Sequence, residues 1–491
     1  MSGARRSQLG RRGLRYRRPE AQWLVPVRRF RARPEAQLGL RQAACRPRPL
    51  PAAAAATAAA VTLVLAGGCS SGTGSSPVQR FADPTASAAV ASCRHQYASA
   101  CYTPQQLRVA YDIEPLLDRR TDGRGQTVVL MEFANSPPQP PSPQVTDIRQ
   151  DLALFDAVFG LPAPRLQVDT SLAGSAWPWL AGGEEVEDAE IVHAVAPDAA
   201  IRVILIPSWT GPGSWITAVD SVLRLALAQG SVVSLSAILG EDCFTPGQVA
   251  GLNAALQADQ EHHVTVVASS GDFGAASTAC AGPGVPTSVK EVGLPASDPL
   301  VLAVGGTTLD ADLATGAYRS ETVWHTPPGT ANPQTSGGGF SHLFPRPAYQ
   351  DGVAGIGTAR GVPDVASDAA GRTGMTLAVS TGAGQDYFYP GAGTSAATPL
   401  WAALIALADQ YAGRQLGFVN PAIYRIGRSA SYHQAFHDIT TGNSTVTLPQ
   451  GTITGYQASP GWDPVTGWGS PNAQALIPLL ATLTGVPGPG S

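Results

Sequence analysis

Residues 201–236, IRVILIPSWTGPGSWITAVDSVLRLALAQGSVVSLS, decide the fold. IRVILIP (201–207) is a nearly continuous apolar run of strand length. SWITAVDSVLRLALAQG (214–230) carries its apolar residues at helical spacing and stops at Gly230, and VVSLS (232–236) is again a strand. The same alternation continues outward. TVVLMEF (127–133) and VTVVASS (264–270) are apolar strands, while DIRQDLALFDAVFG (147–160) and QVAGLNAALQAD (248–259) are helices. Continuous rather than alternating apolar strands need cover on both faces. They predict a three-layer α/β domain with a mostly parallel central sheet. Functional residues in such sheets lie at the carboxyl ends of the strands. After about residue 415 the chain is richer in Gly, Pro and Thr and is expected as loops packed on this core. No internal repeat is present.

The formal net charge of the 491 residues is −4, which hides a split. Residues 1–50 hold fourteen arginines and two acids, leaving 18 basic and 34 acidic groups beyond them, a net of −16. Lys290 is the only lysine. An acidic body argues against a nucleic-acid partner. PAAAAATAAAVTLVLAGGCSSGTGSS (51–76) follows the Arg-rich head and has the layout of a secretory signal. Cys69 after Leu-Ala-Gly-Gly resembles a bacterial lipoprotein site, although Ala66 stands where Leu is usual. Signal cleavage nearby or an uncleaved anchor also fits. The expectation is a leader over 1–69, a flexible tether over 70–100 and a folded domain over 101–487. The protein is then secreted or held at the cell surface, with possible membrane anchoring by lipid on Cys69. An oxidising compartment allows disulfides. The four cysteines past the leader allow three pairings, of which close spacing favours Cys93 with Cys101, leaving Cys243 with Cys280.

Three stretches carry chemistry. In GAGTSAATPL (391–400), Ser395 stands at the mouth of an apolar helix, where it or Thr394 is either an N-cap or a nucleophile at the helix's positive end. In SSGDFG, Asp272 follows an apolar strand, as a turn residue or a catalytic carboxyl. In GGEEVEDAEIVHAVAPDA (182–199), a helix after Gly183 places Glu184 and Asp188 on one face, Cβ atoms about 5–6 Å apart, in line with Ile191 and Val195. An acidic first turn that complements the helix dipole accounts for Glu184, Glu185 and Glu187, but not for two acids aligned with an apolar stripe. None of the eight histidines lies in a catalytic frame, and no HExxH or Cys-pair zinc pattern occurs. A serine nucleophile here requires a carboxylate base.

That combination resembles the sedolisins, the serine-carboxyl peptidases with a subtilisin-like fold. The resemblance runs from about Tyr102 to Pro487. It includes YTPQQLRVAYDI, LPASDPLVLAVGGTTL (294–309), SGGGFS (336–341), PDVASDA (363–369) and LGFVNPAIY (416–424), in family order. It implies an exported endopeptidase, active at acidic pH as a monomer on polypeptide substrates. Ser395 would be the nucleophile and Glu184 its base, with Asp188 polarising Glu184 and Asp272 donating to the oxyanion. FHDITTG (436–442) and ASPGWDPVTGWG (458–469) match the family's single calcium site. Asp438 and Asp463 would give carboxylates, and Ile439, Ser459 and Gly461 backbone carbonyls, hard oxygen donors that suit Ca²⁺.

Two departures stand out. About thirty residues separate Cys69 from Tyr102, too few for the family's large propeptide. In SLSAILGED (234–242), Ala237, Ile238 and Leu239 replace a Trp-Gly-Gly substrate strand, so Glu132 loses the tryptophan partner that the family gives it. These departures keep open a second reading, a catalytically silent surface lipoprotein that binds peptides in the same groove.

Overall fold

The computed structural model describes residues 84–134, 145–173, 180–181, 183–227, 232–327, 329–330, 332–380 and 386–485. The leader, with Cys69, lies outside the described residues. The main elements begin with α1 (Pro84–Tyr97), β1 (Thr127–Phe133), α2 (Ile148–Phe159), β2 (Arg165–Asp169), α3 (Glu184–Val195), β3 (Ala200–Ile206), α4 (Pro212–Ala226), β4 (Val232–Leu235) and α5 (Pro246–Glu261). They continue with β5 (Thr265–Ser269), β6 (Leu302–Ala311), β7 (Tyr318–Val323), β8 (Val365–Asp368), β9 (Thr376–Val379), β10 (Tyr387–Pro390), α6 (Thr394–Ala412) and α7 (Ala473–Leu483).

The central sheet runs β7-β6-β5-β4-β1-β3-β2, with β8 also paired to β6. Every pair is parallel except β6–β7. Period-2 alternation sends neighbouring residues of one strand to opposite faces. Val128 and Leu130 of β1 join a core with α3, α6 and α7, while Val129 and Met131 join a second core with α4 and α5. This is the three-layer architecture expected from the unbroken apolar strands. Local signals set the helix ends: the Asp147 carboxylate caps α2 at the Arg149 N–H, and Gly160 stops it in the left-handed region at φ 68°.

Two expectations need correction. The stretch 70–100 is not all tether: α1 packs on β9 and β10, and ordered chain begins well before Tyr102. Its Ala- and Ser-rich composition suits a linker and a small-residue helix alike. The burial of Ala89 and Val90 and the Cys93–Cys101 disulfide select the helix. Cys243–Cys280 forms as well, so both pairings stand. The C-terminal part is also not only loops, because α7 packs its Leu476, Ile477 and Leu480 into the core beside α6.

Candidate active site

The site gathers where β1, β4 and β5 end. Ser236 follows β4, Asp272 lies three residues past β5, Glu132 is near the end of β1, and α3 and α6 bring their first turns to the same place. The N-cap of α6 is Gly393, at φ 92° and with no capping side chain, so neither Thr394 nor Ser395 is a cap. Both hydroxyls are spent elsewhere. Thr394 Oγ1 donates to Asp272 Oδ1 at 2.8 Å, and Ser395 Oγ donates to the Ser236 carbonyl at 3.2 Å. Gly393 has a specific use: its φ of 92° strains any other L residue, and a Cβ there would also press on Asp272 Oδ2 at 3.1 Å.

Glu184 opens α3 and is exposed as a residue, but its carboxyl end is turned in among packed protein. Protein packed around its carboxyl pushes its pKa up to about 7. The Ser395 hydroxyl close by pulls it down, and the charge of Asp272 raises it. Asp188, one turn on, is fully buried. Burial holds its pKa well above the usual carboxylate range, with Glu184 adding to the rise. Its Oδ2 accepts from Ser236 Oγ at 2.6 Å, and the carboxyl of Glu132 lies beside it. Asp188 therefore faces Glu184 as a neighbouring charge and is itself held by Ser236, with Glu132 beside it. Burial raises Asp272 too, opposed by the backbone N–H and hydroxyl of Thr394. The structure thus brings together all four expected residues.

Ser236 and Glu132 complete the site. Ser236 links two parts of it, accepting from Ser395 through its carbonyl and donating to Asp188 through its hydroxyl. Glu132, expected to lack a partner, has Asp188 instead. α3 is buried on nearly every side, so Glu185, Glu187 and Glu190 are enclosed with Asp188 rather than forming a solvated first turn. No histidine enters. His193, on the same helix, directs Nε2 to the Pro162 carbonyl at 2.8 Å and Asp156 at 3.0 Å.

The residues of the second expected site lie on loops that hydrogen-bond to one another. Gly461 N–H donates to both oxygens of Asp438, at 3.2 and 3.1 Å, and Ser459 N–H donates to Asp463 Oδ2 at 3.0 Å. Asp463 is buried, which pushes its pKa up to about 7, and both carboxyls act on the Tyr432 phenol. Among the described residues no hydrogen bond reaches the carbonyls of Ile439, Ser459 or Gly461. No group of three or more His, Cys, Asp or Glu among those residues could hold a metal, so a cation here would rely on two carboxylates and backbone oxygens. Buried carboxylate and free carbonyls fit a hard cation.

A subtilisin-like sheet with a serine at the start of a buried helix defines the class: the chain belongs to the subtilase family, whose sequence profile matches residues 179–424. Within it, the chain falls with the sedolisins. It is 34% identical to kumamolisin from Bacillus sp. strain MN-32 over 397 residues, covering 78% of this chain and 64% of that relative. It is 36% identical to sedolisin from Pseudomonas sp. strain 101 over 230 residues, covering 45% and 37%. The chain thus spans less than two thirds of either relative. A structure of Pseudomonas sedolisin, a serine-carboxyl proteinase complexed with two molecules of pseudo-iodotyrostatin, matches with a TM-score of 0.63 and 26% identity. It covers 78% of this chain and 98% of that one.

Proposed function

We propose that this protein is an exported serine-carboxyl endopeptidase that hydrolyses polypeptides at acidic pH. The observation that carries the reading is the convergence of Ser395, Glu184, Asp188 and Asp272 with no histidine among them. Glu184 takes the Ser395 proton as Oγ attacks the peptide carbonyl. Its pKa of about 7 makes it a far better base than an ordinary carboxylate. Asp272 accepts from Thr394 through Oδ1 and turns Oδ2 toward Gly393, so a proton on Oδ2 can be donated to the oxyanion. Collapse of the intermediate breaks the C–N bond, and protonated Glu184 returns its proton to the leaving amine. Water then hydrolyses the acyl-enzyme, with Glu184 again as base. Asp188, held by Ser236 beside Glu132, keeps its charge state coupled to that of Glu184.

The calcium reading belongs here too. Asp438 and Asp463, with the carbonyls of Ile439, Ser459 and Gly461, would hold one structural Ca²⁺ that ties the two C-terminal loops together. Export rests on the leader sequence, and the mass of the mature N-terminus checks it: a lipidated Cys69 supports anchoring, and an unmodified start beyond residue 69 contradicts it.

Digestion of a denatured polypeptide tests the main reading. The wild type should cleave it and Ser395→Ala should not. Equal cleavage by both would contradict Ser395 as the nucleophile, and none by the wild type at any pH would leave the silent peptide-binding lipoprotein as the better account.

A further inference from the structure

Four consecutive backbone amides lead into the nucleophile. Gly391 N–H donates to the Met375 carbonyl at 2.9 Å and Ala392 N–H to Glu187 Oε1 at 2.7 Å. Gly393 N–H donates to the Ala369 carbonyl at 2.7 Å and Thr394 N–H to Asp272 Oδ1 at 2.9 Å. The acceptors alternate between fixed carbonyls and carboxyl side chains. One carboxyl belongs to the oxyanion donor. The other, Glu187, lies on α3 three residues after the base Glu184, so helical spacing puts both on neighbouring positions of one face. A Cβ on Gly391 would lie 3.0 Å from Glu187 Oε1, close enough to push the carboxyl away from the Ala392 amide by a few tenths of an ångström.

We propose that Glu187 is a positioning residue of the nucleophile loop: it clamps the Ala392 amide to the helix that carries the base and so fixes Ser395 relative to Glu184. The inference rests on the peptidase reading above. Its logic is mechanical. The base and this clamp share one rigid helix, and the oxyanion donor is itself the clamp two amides further on, at Thr394. The segment that carries Ser395 is therefore fastened to the helix that carries its base and to the oxyanion donor, and an error in its placement is an error in attack geometry.

Glu187 is buried. The titratable groups that face it are Glu184, Asp188 and Glu190 on α3, Asp272 on the loop after β5, and Tyr389 on β10. Burial first, then the charges of Glu184 and Asp188, holds its pKa well above the usual range. A neutral acid still offers its carbonyl oxygen to Ala392 N–H, without adding charge beside the base. Glutamine offers the same oxygen.

The test compares kcat, KM and amide exchange across residues 391–396 for the wild type, E187Q and E187L. E187Q should stay within about threefold of wild-type kcat, because the acceptor survives, whereas E187L should lose about 10- to 100-fold in kcat with KM changed by no more than about twofold. The Ala392 amide should exchange faster in E187L and not in E187Q. Full activity in E187L, equal impairment in both variants, or unchanged exchange in E187L would overturn the proposal. Should E187L fail to fold, G391A crowds the same contact. Lowered kcat with faster exchange in G391A supports the clamp, and wild-type behaviour contradicts it. A wild type without peptidase activity sinks the functional reading alone, and the exchange measurement still decides whether Glu187 holds the loop.

Discussion

Asp272 presents different neighbours to its two oxygens. Oδ1 is committed to the Thr394 amide and hydroxyl, and Oδ2 lies over Gly393 beside Ser395. Only the protonated acid can donate from Oδ2. Removing the group in Asp272→Ala deletes an oxyanion donor, which should lower kcat about 10²–10³-fold, about 3–4 kcal/mol. Asp272→Asn keeps a donor that cannot ionise. It should lose less, and its pH–rate profile should no longer fall where the wild type loses the Asp272 proton. A descending limb unchanged in Asp272→Asn would move that ionisation to another group. The sequence shows Asp272 as a carboxyl after a strand, but not which oxygen is free. That depends on Thr394, 122 residues away.

At the scale of elements, α3 is the part the sequence exposes best. The i,i+4 spacing of Glu184 and Asp188 predicts that they share a face, and they do. Ser236, Glu132 and Glu187 are harder to see. Ser236 and Glu132 meet Asp188 only because β4 pairs with β1 in the sheet. Glu187 finds its partner only through the fold of residues 391–394. Neither meeting leaves a local pattern. The helix α1 was hidden for another reason: Ala and Ser suit a linker as well as a helix, and packing decides between them. The burial of Asp463 beside Asp438 raises its pKa without a cation, a cost that bound Ca²⁺ would offset. Chelation should therefore lower Tm, and Asp463→Ala should lower it without further response to chelator. An unchanged Tm in verified metal-free protein would remove the calcium site from the account.

The whole molecule was legible in outline because its strands lack alternation: an apolar run on both faces admits only a covered, parallel sheet. The sheet brings the ends of β1, β4 and β5 together under α3 and α6, and what collects there is carboxyl upon carboxyl. The body beyond residue 50 carries a net −16, so acidic conditions relieve repulsion across the surface as well as in the site. The central claim is that carboxyls do the work that histidine does elsewhere. On the proposed mechanism turnover needs Glu184 ionised and Asp272 protonated, and the product of those two populations peaks between the two pKa values. Burial pushes Glu184 to about 7, and Asp272 is raised from the carboxylate range but restrained by Thr394. The maximum should fall on the acid side of neutrality. Below it no ionised base remains, and above it the oxyanion donor is lost. The direct measurement is the pH dependence of wild-type kcat/KM on a peptide substrate, from strong acid to mild alkali. A bell with its maximum below pH 7 is the predicted result, and a rate that climbs to a maximum in the alkaline range would contradict the carboxyl mechanism.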